Sequence, residues 1–328
     1  MPERAHVYSI AMRTRFRGIT RREGLLWRGS AGWAEWSPFL DYAGDEIVPW
    51  LAAAEESAEL GWPDPVRKRV PVNCTVPAVD PGQAAALVLA SGCRTAKVKV
   101  AEPGQSLPED VARVSGVRAA LGPSGRLRID ANGGWSVQDA LAAISTLARH
   151  DLEYVEQPCR TVEELADLRR RLTRAGLDVL IAADESIRRA DDPYRVARLA
   201  AADVAVLKVQ PLGGVRACVE IAEHIGLPVV VSSALETSVG IRAGLALAAC
   251  LPELPFACGL NTVTLLTDDV VADPLVASGG ELAVGALEVQ REGLQRCRAD
   301  GDRAEFWQAR LMQARRDQAA LLMRATGG

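Results

Sequence analysis

The stretch TAKVKVAE, residues 95–102, reads as a short strand with two lysines on one face. Side chains alternate across a strand, so Lys97 and Lys99 share one side and Val98 and Val100 the other. With the valines packed outward against a helix, both ammonium groups point toward the middle of the sheet. Buried charge of that kind needs partners of opposite sign.

The neighbouring sequence repeats the pattern. From Val70 onward, short β-branched runs alternate with Ala/Leu/Arg-rich segments of helical period, as expected of βαβ units around a parallel sheet. Eight strands are expected: VPVNCTV (70–76), TAKVKV (95–100), RLRID (126–130), LEYVE (152–156), VLIAAD (179–184), VAVLK (204–208), PVVVSS (228–233) and PFACG (255–259). Lys99, Asp130, Glu156, Asp184, Lys208 and Ser232 lie at strand ends in steps of 31, 26, 28, 24 and 24 residues. One βα unit of a closed barrel takes about thirty residues, so the spacing predicts an α/β fold with a (β/α)8 TIM barrel. Ahead of it, residues 7–36 read as an antiparallel meander and residues 45–60 as helix. The stretch 303–324 reads as a surface helix.

Composition narrows the function. The chain has 328 residues, 48% hydrophobic and 24% charged, enough for a sizeable core. Lys+Arg 38 against Asp+Glu 42 gives a net charge of -4, with no basic-aromatic stripe, which argues against a nucleic-acid partner. The first residues lack a signal-peptide layout, and the apolar stretch 239–258 is broken by Arg242, Pro252, Glu253 and Pro255. A cytoplasmic protein with no membrane partner is expected. The seven cysteines are scattered without a C-x-x-C pair, which predicts reduced, mostly buried thiols. His6, His150 and His224 lie outside the strand-end set, so a histidine base is disfavoured.

Catalytic groups of such a barrel sit at the carboxyl ends of its strands. Asp130, Glu156 and Asp184 occupy that place on three successive strands. A lone strand-end carboxylate is usually a helix cap or surface charge, but three in phase, bracketed by lysines, are not explained that way. Converging carboxylates repel unless a cation sits among them, and Mg2+, with Mn2+ as a substitute, suits all-oxygen ligands. Lys99 and Lys208 would then face each other across the metal. A bound substrate carboxylate has an acidified α-hydrogen, which a lysine crowded by other cations can remove. Lys97 sits deeper, as a catalytic support or an interior ion pair.

The motifs K-x-K (97–99), D-A-N (130–132), E-Q-P (156–158), D-E-S (184–186) and LKVQPLGG (207–214) resemble, in order, those of the enolase superfamily in its muconate-lactonising subgroup. The resemblance implies a modified barrel at 69–284 and an α+β capping domain at 1–68 completed by 285–328. RLRIDANGGW (126–135), VSSALETSVG (231–240), TRFRG (14–18) and AEWSPF (34–39) are most similar to the o-succinylbenzoate synthase family. That similarity implies syn-dehydration of a small-molecule carboxylate, 2-succinyl-6-hydroxy-2,4-cyclohexadiene-1-carboxylate, in menaquinone biosynthesis. Lys99 would be the base and Lys208 the stabilising charge. Ser232 and Ser233 would take the succinyl carboxylate or cap a helix, and Gly259 would let backbone approach the ligand. Arg128, of the same parity as Asp130, would pair with the carboxylates or touch substrate. Relatives often carry a longer capping loop near residue 20, whereas FRGITRREG reads as a tight turn. Arg17, Trp33 and Trp36 could line the entrance, with core packing preferred for the tryptophans. An N-acylamino-acid racemase or dipeptide epimerase is the rival reading, since 1,1-proton transfer also needs two facing lysines. A non-catalytic barrel has no need of them. Oligomeric state stays open.

Overall fold

The computed structural model describes residues 5–189 and 192–326; the outermost residues expected in the capping domain, 1–4 and 327–328, lie outside it. The N-terminal part is the expected antiparallel meander: β1 (His6–Phe16), β2 (Ile19–Arg28) and β3 (Trp33–Trp36) in the order β1-β2-β3. Arg17 and Gly18 make the β1–β2 turn with φ of 50° and 76°. Two left-handed residues match the twist of a tight hairpin, so this tip is as short as the sequence implied.

After a helical segment over residues 44–60, the C-terminal helix Gly301–Thr326 returns to this sheet. Its Trp307 meets Trp36 edge-on at 5.8 Å. Arg310 donates to the carbonyls of Pro38 (2.8 Å), Phe39 (2.8 Å) and Tyr42 (2.6 Å). The helix is therefore a working part of the capping core, with Trp307, Leu311 and Ala314 buried. Trp36 is buried in the same core, while Trp33 is partly buried against it.

The barrel begins with β4 (Arg69–Pro71) and β5 (Cys74–Val76), two pieces where one strand was expected. Pro71 has no N–H to continue a ladder. β4 instead pairs antiparallel with β12 (Glu281–Ala283), and β5 opens the parallel sheet. β6 (Thr95–Lys99), β7 (Arg126–Asp130), β8 (Leu152–Glu156), β9 (Ile181–Ala183), β10 (Val204–Lys208) and β11 (Val229–Ser232) follow in spatial order. The expected eighth strand, 255–259, is not a regular strand. It closes the barrel through two parallel bridges, Val72 with Cys258 and Ser232 with Gly259. Cys258 N–H donates to the Pro71 carbonyl (2.7 Å) and Gly259 N–H to that of Val231 (2.8 Å).

Strand parity behaves as the opening stretch implied. Val98, Ile129, Val155, Leu207 and Val231 join the core between sheet and helices. Tyr154, Ala182, Val204, Val206 and Val230 form a small apolar plug inside the barrel, with Phe256 against it. The surrounding helices are locally specified: Ser106–Glu109 and Thr161–Glu164 form capping boxes, and the Asp80 carboxylate caps the helix Pro81–Ser91. Each fixes where a βα unit turns, and so where the strand before it ends. Among the described residues, no helix is long and apolar enough to cross a membrane.

Candidate active site

Above the apolar plug, the inward positions become ionic. Lys97 donates to both oxygens of Glu156, at 2.7 and 2.8 Å, and lies 3.4 Å from Asp130 Oδ2. Lys99 donates to Asp130 Oδ2 at 2.6 Å and to the Asn132 side-chain carbonyl. On the opposite wall, four strands round in the sheet order, Lys208 donates to Asp184 Oδ2 at 2.6 Å. Asp184 also accepts from Arg188 Nε at 2.9 Å. Asp130, Glu156 and Asp184 are at most 2% exposed.

The electrostatics follow from this pairing. Burial works against the Lys97 ammonium, but Glu156 and Asp130 outweigh it and hold its pKa above the ordinary lysine value. Burial likewise opposes the Asp130 carboxylate, and Lys99 and Lys97 overcome it, holding the pKa well below the usual range. For Lys208 burial wins: its pKa is lowered, with Asp184 pulling it back and the Arg188 charge adding to the fall. Burial pushes the Glu156 carboxyl up, Lys97 pulls it down, and the charges of Asp130 and Asp184 push it up again.

The three carboxylates therefore feel one another, yet they are not gathered on a point. Among the described residues, no three His, Cys, Asp or Glu side chains stand together as a set able to hold an ion. Lysines supply the positive charge here, and each carboxylate is turned onto its own ammonium. The donor chemistry nevertheless fits a hard divalent cation. Three buried carboxylates lie at the ends of successive strands, all oxygen donors and mutually repelling.

A cavity of about 40 Å3 is lined by Lys97, Lys99, Asp130, Lys208, Ser232, Ser233, Gly259 and the capping residues Phe16, Arg17 and Phe39. It shares Arg17, Phe39 and Asn132 with a wider outer cleft of about 940 Å3 that also includes Asp41 and Arg189. Arg17 thus lies at the entrance as expected, paired with Asp41 and stacked 4.1 Å over Phe39. Ser233 Oγ is 2.7 Å from Thr262 Oγ1. The helix Ser238–Cys250 is capped by Thr237, so neither serine serves as its cap.

Neighbouring groups set the places of Arg128 and Gly259. Arg128 faces inward but does not line the cavity. It lies one inward position deeper, paired with Glu153 at 2.5 Å, donating to the Ala257 carbonyl at 2.6 Å and stacked over Tyr154. Gly259 is small because of its neighbour: a Cβ there would lie 2.5 Å from Ser232 Oγ.

Other site residues escaped strand parity because they lie beyond the strand ends. Glu185 Oε1 accepts from Asn132 (3.2 Å) and Arg188 (2.5 Å), while its buried Oε2 has no hydrogen-bond partner. Burial and the adjoining Asp184 charge push its carboxyl up to about 7. Ala101, Asn132, Gln157 and Leu235 all have positive φ, between 39° and 63°, just past four of the strands. Non-glycine residues rarely adopt that conformation, and such strain tends to cluster at functional sites. The motif neighbours of Asp130 and Asp184 were the available signal for Asn132 and Glu185; Arg188 had none.

Residues 7–58 match the Enolase N-terminal domain-like family and residues 81–294 the Enolase C-terminal domain-like family. The chain is 61% identical over 308 residues to o-succinylbenzoate synthase of Thermobifida fusca, covering 94% of this chain and 95% of that one. It is 54% identical to o-succinylbenzoate synthase of Mycolicibacterium smegmatis, covering 93% of each. Among solved structures, muconate lactonizing enzyme from Pseudomonas fluorescens is similar with a TM-score of 0.76 at 23% identity, over 90% of this chain and 98% of that one. N-succinyl Arg/Lys racemase from Bacillus cereus has a TM-score of 0.74 at 19% identity, over 90% and 97% of the two chains. At these identities the solved structures speak for the fold alone.

Proposed function

The chain belongs to the o-succinylbenzoate synthase family of the enolase superfamily, and from that premise we propose its reaction. It is an enzyme of the hydro-lyase class. The reaction is metal-dependent syn-dehydration of 2-succinyl-6-hydroxy-2,4-cyclohexadiene-1-carboxylate to o-succinylbenzoate, as a step of menaquinone biosynthesis. The observation that carries the chemistry is the pair of lysines, Lys99 and Lys208, on opposite walls of one cavity, each paired with a strand-end carboxylate. The named relatives support the substrate.

Asp130, Glu156 and Asp184 would hold Mg2+, or Mn2+ in its place. When bound, such an ion supplies Lewis-acid polarisation of the substrate carboxylate and so acidifies the α-hydrogen. Lys99 removes that proton as general base. The electron pair is held as an enediolate and then returns to the ring as the bond to the 6-hydroxyl breaks. The Lys99 ammonium hands the proton to the departing oxygen, which leaves as water. Because one lysine handles both events, proton and hydroxyl leave from one face.

Lys208 lends its charge to the enediolate from the other wall, and a cation–π contact grows as the ring becomes aromatic. Lys97 stays on Glu156 and fixes its orientation. Ser232 and Ser233 face the succinyl arm, with Gly259 leaving room for the Ser232 hydroxyl.

The test is ultraviolet detection of o-succinylbenzoate formed from its cyclohexadiene precursor, with Mg2+ and with EDTA. Turnover that needs the metal and falls by at least about 10^3-fold in Lys99→Ala is expected. No turnover by folded, Mg2+-supplied protein would reject the substrate.

A further inference from the structure

The wall of the cavity formed by residues 233–237 is held from outside the barrel. Leu235, a bulky residue with φ of 63°, sits in that wall beside Ala234 and Ser233. Two buried charges from the capping sheet grip it. Arg22 of β2, 2% exposed, donates from Nε to the Leu235 carbonyl at 3.1 Å and from Nη2 to the Ala234 carbonyl at 3.1 Å. The same Nη2 donates to the Ser37 hydroxyl at 2.8 Å, and the guanidinium lies 4.6 Å over Phe39, which lines the cavity from the capping side.

Glu35 of β3, 3% exposed, takes the other end of the segment. Its carboxylate accepts from Thr237 Oγ1 at 2.5 Å, Thr237 N–H at 3.1 Å and Gly240 N–H at 3.1 Å. Tyr8 (2.6 Å) and Ser37 (2.8 Å) complete it from its own domain. A carboxylate at a helix N-terminus meets unpaired N–H groups and the positive end of the helix dipole, so Glu35 anchors the start of the helix Ser238–Cys250.

We infer that Arg22 is a positioning residue that holds Leu235 in its left-handed conformation, with Glu35 anchoring the far end of the segment at Thr237, and so shapes the cavity wall against the substrate's non-reacting succinyl arm. The reason lies in where their bonds go. An arginine kept only for domain packing would satisfy its donors within the capping domain, whereas Arg22 aims two of its bonds at carbonyls of cavity-lining residues. The strain at Leu235 needs such outside support to persist. Neither residue touches the reacting carbon, so the inference concerns substrate fit and not proton transfer. It rests on reading this cavity as the dehydration site.

The experiment compares wild type, Arg22→Met, Arg22→Lys and Arg22→Met/Leu235→Gly in the dehydration assay, with hydrogen exchange read on the peptide spanning 231–240. Arg22→Met is expected to raise KM at least tenfold with kcat changed less than threefold. Glycine adopts positive φ without support, so the double variant should recover at least half of the lost kcat/KM. If Arg22→Met does not fold, Arg22→Lys carries the test, with KM raised at least threefold. Unchanged KM, a matching fall in kcat, or no recovery by glycine overturns the inference. A wild type without turnover would reject the dehydration reading alone. Exchange then decides: at least tenfold faster exchange confined to that peptide upholds the grip, and unchanged exchange overturns it.

Discussion

A lysine that only lends charge tolerates arginine in its place; a lysine that must return a proton does not. Lys208→Arg should therefore keep on the order of 1–10% of dehydration while abolishing any 1,1-proton exchange on N-acylamino acids, because arginine keeps the charge but cannot cycle a proton at neutral pH. Equal loss of both activities, measured by product absorbance and by inversion of an N-acylamino acid followed as optical rotation, would contradict this role. A second residue sets a pH dependence of stability. Burial, then the Glu35 charge, pushes the Glu236 carboxyl from 4.5 up to about 7. The folded chain thus binds this proton more tightly than the unfolded chain. Its contribution is full below the unfolded value of 4.5 and is lost as pH rises toward 7. Glu236→Gln keeps an acceptor for the Ala234 N–H (2.6 Å) without the ionisation. Denaturant unfolding at pH 5 and pH 8 should show the variant gaining on wild type at the higher pH, by up to about 1.4 kcal/mol for each pH unit that separates the folded and unfolded values. A pH-independent difference would refute it.

Among the elements, the barrel's closing segment is the most exacting. Residues 258 and 259 bridge the first and seventh barrel strands with little regular pairing. A Cβ at position 259 would stand 2.5 Å from Ser232 Oγ and 3.2 Å from Ser232 Cβ. Gly259→Ala should cost about 1–3 kcal/mol and displace the Ser232 hydroxyl, lowering both Tm and kcat/KM. Unaltered melting and kinetics would mean the neighbour yields freely. The element pattern also marks where sequence reading stops. β7, β8 and β10 have the boundaries expected from the sequence, each an apolar or β-branched run closed by one ionic residue, Asp130, Glu156 or Lys208. The segments 70–76 and 255–259 carry the same apolar signature, but a proline in one and a pairing limited to two bridges in the other broke the regular ladder.

For the whole molecule, the charge pairs inside the barrel are what a bound ion would rearrange. Asp130, Glu156 and Asp184 are neutralised here by three lysines, Lys97, Lys99 and Lys208. A divalent ion that binds only the folded chain stabilises it by about 2.7 kcal/mol at a hundredfold excess over Kd. Mg2+ should therefore raise Tm by several degrees, EDTA should reverse it, and Asp184→Asn should abolish the shift. A Tm that does not respond to Mg2+ in the wild type would remove the metal from the proposal.

Alternation and spacing along the chain by themselves determined the barrel, the carboxyl ends of its first seven strands to within one residue and the ionic residues at those ends, because side-chain parity is a local property of backbone geometry. They gave Lys97, Lys99, Asp130, Glu156, Asp184 and Lys208 the parity of one inner surface, where they form ion pairs. Only the tertiary structure decided which charge meets which, turned Arg128 onto Glu153 beneath the cavity, and brought Arg22 and Glu35 across more than two hundred residues to the wall at Leu235. Those outcomes depend on the depth of each residue in the barrel and on the docking of the capping sheet, neither of which leaves a periodic trace in the chain.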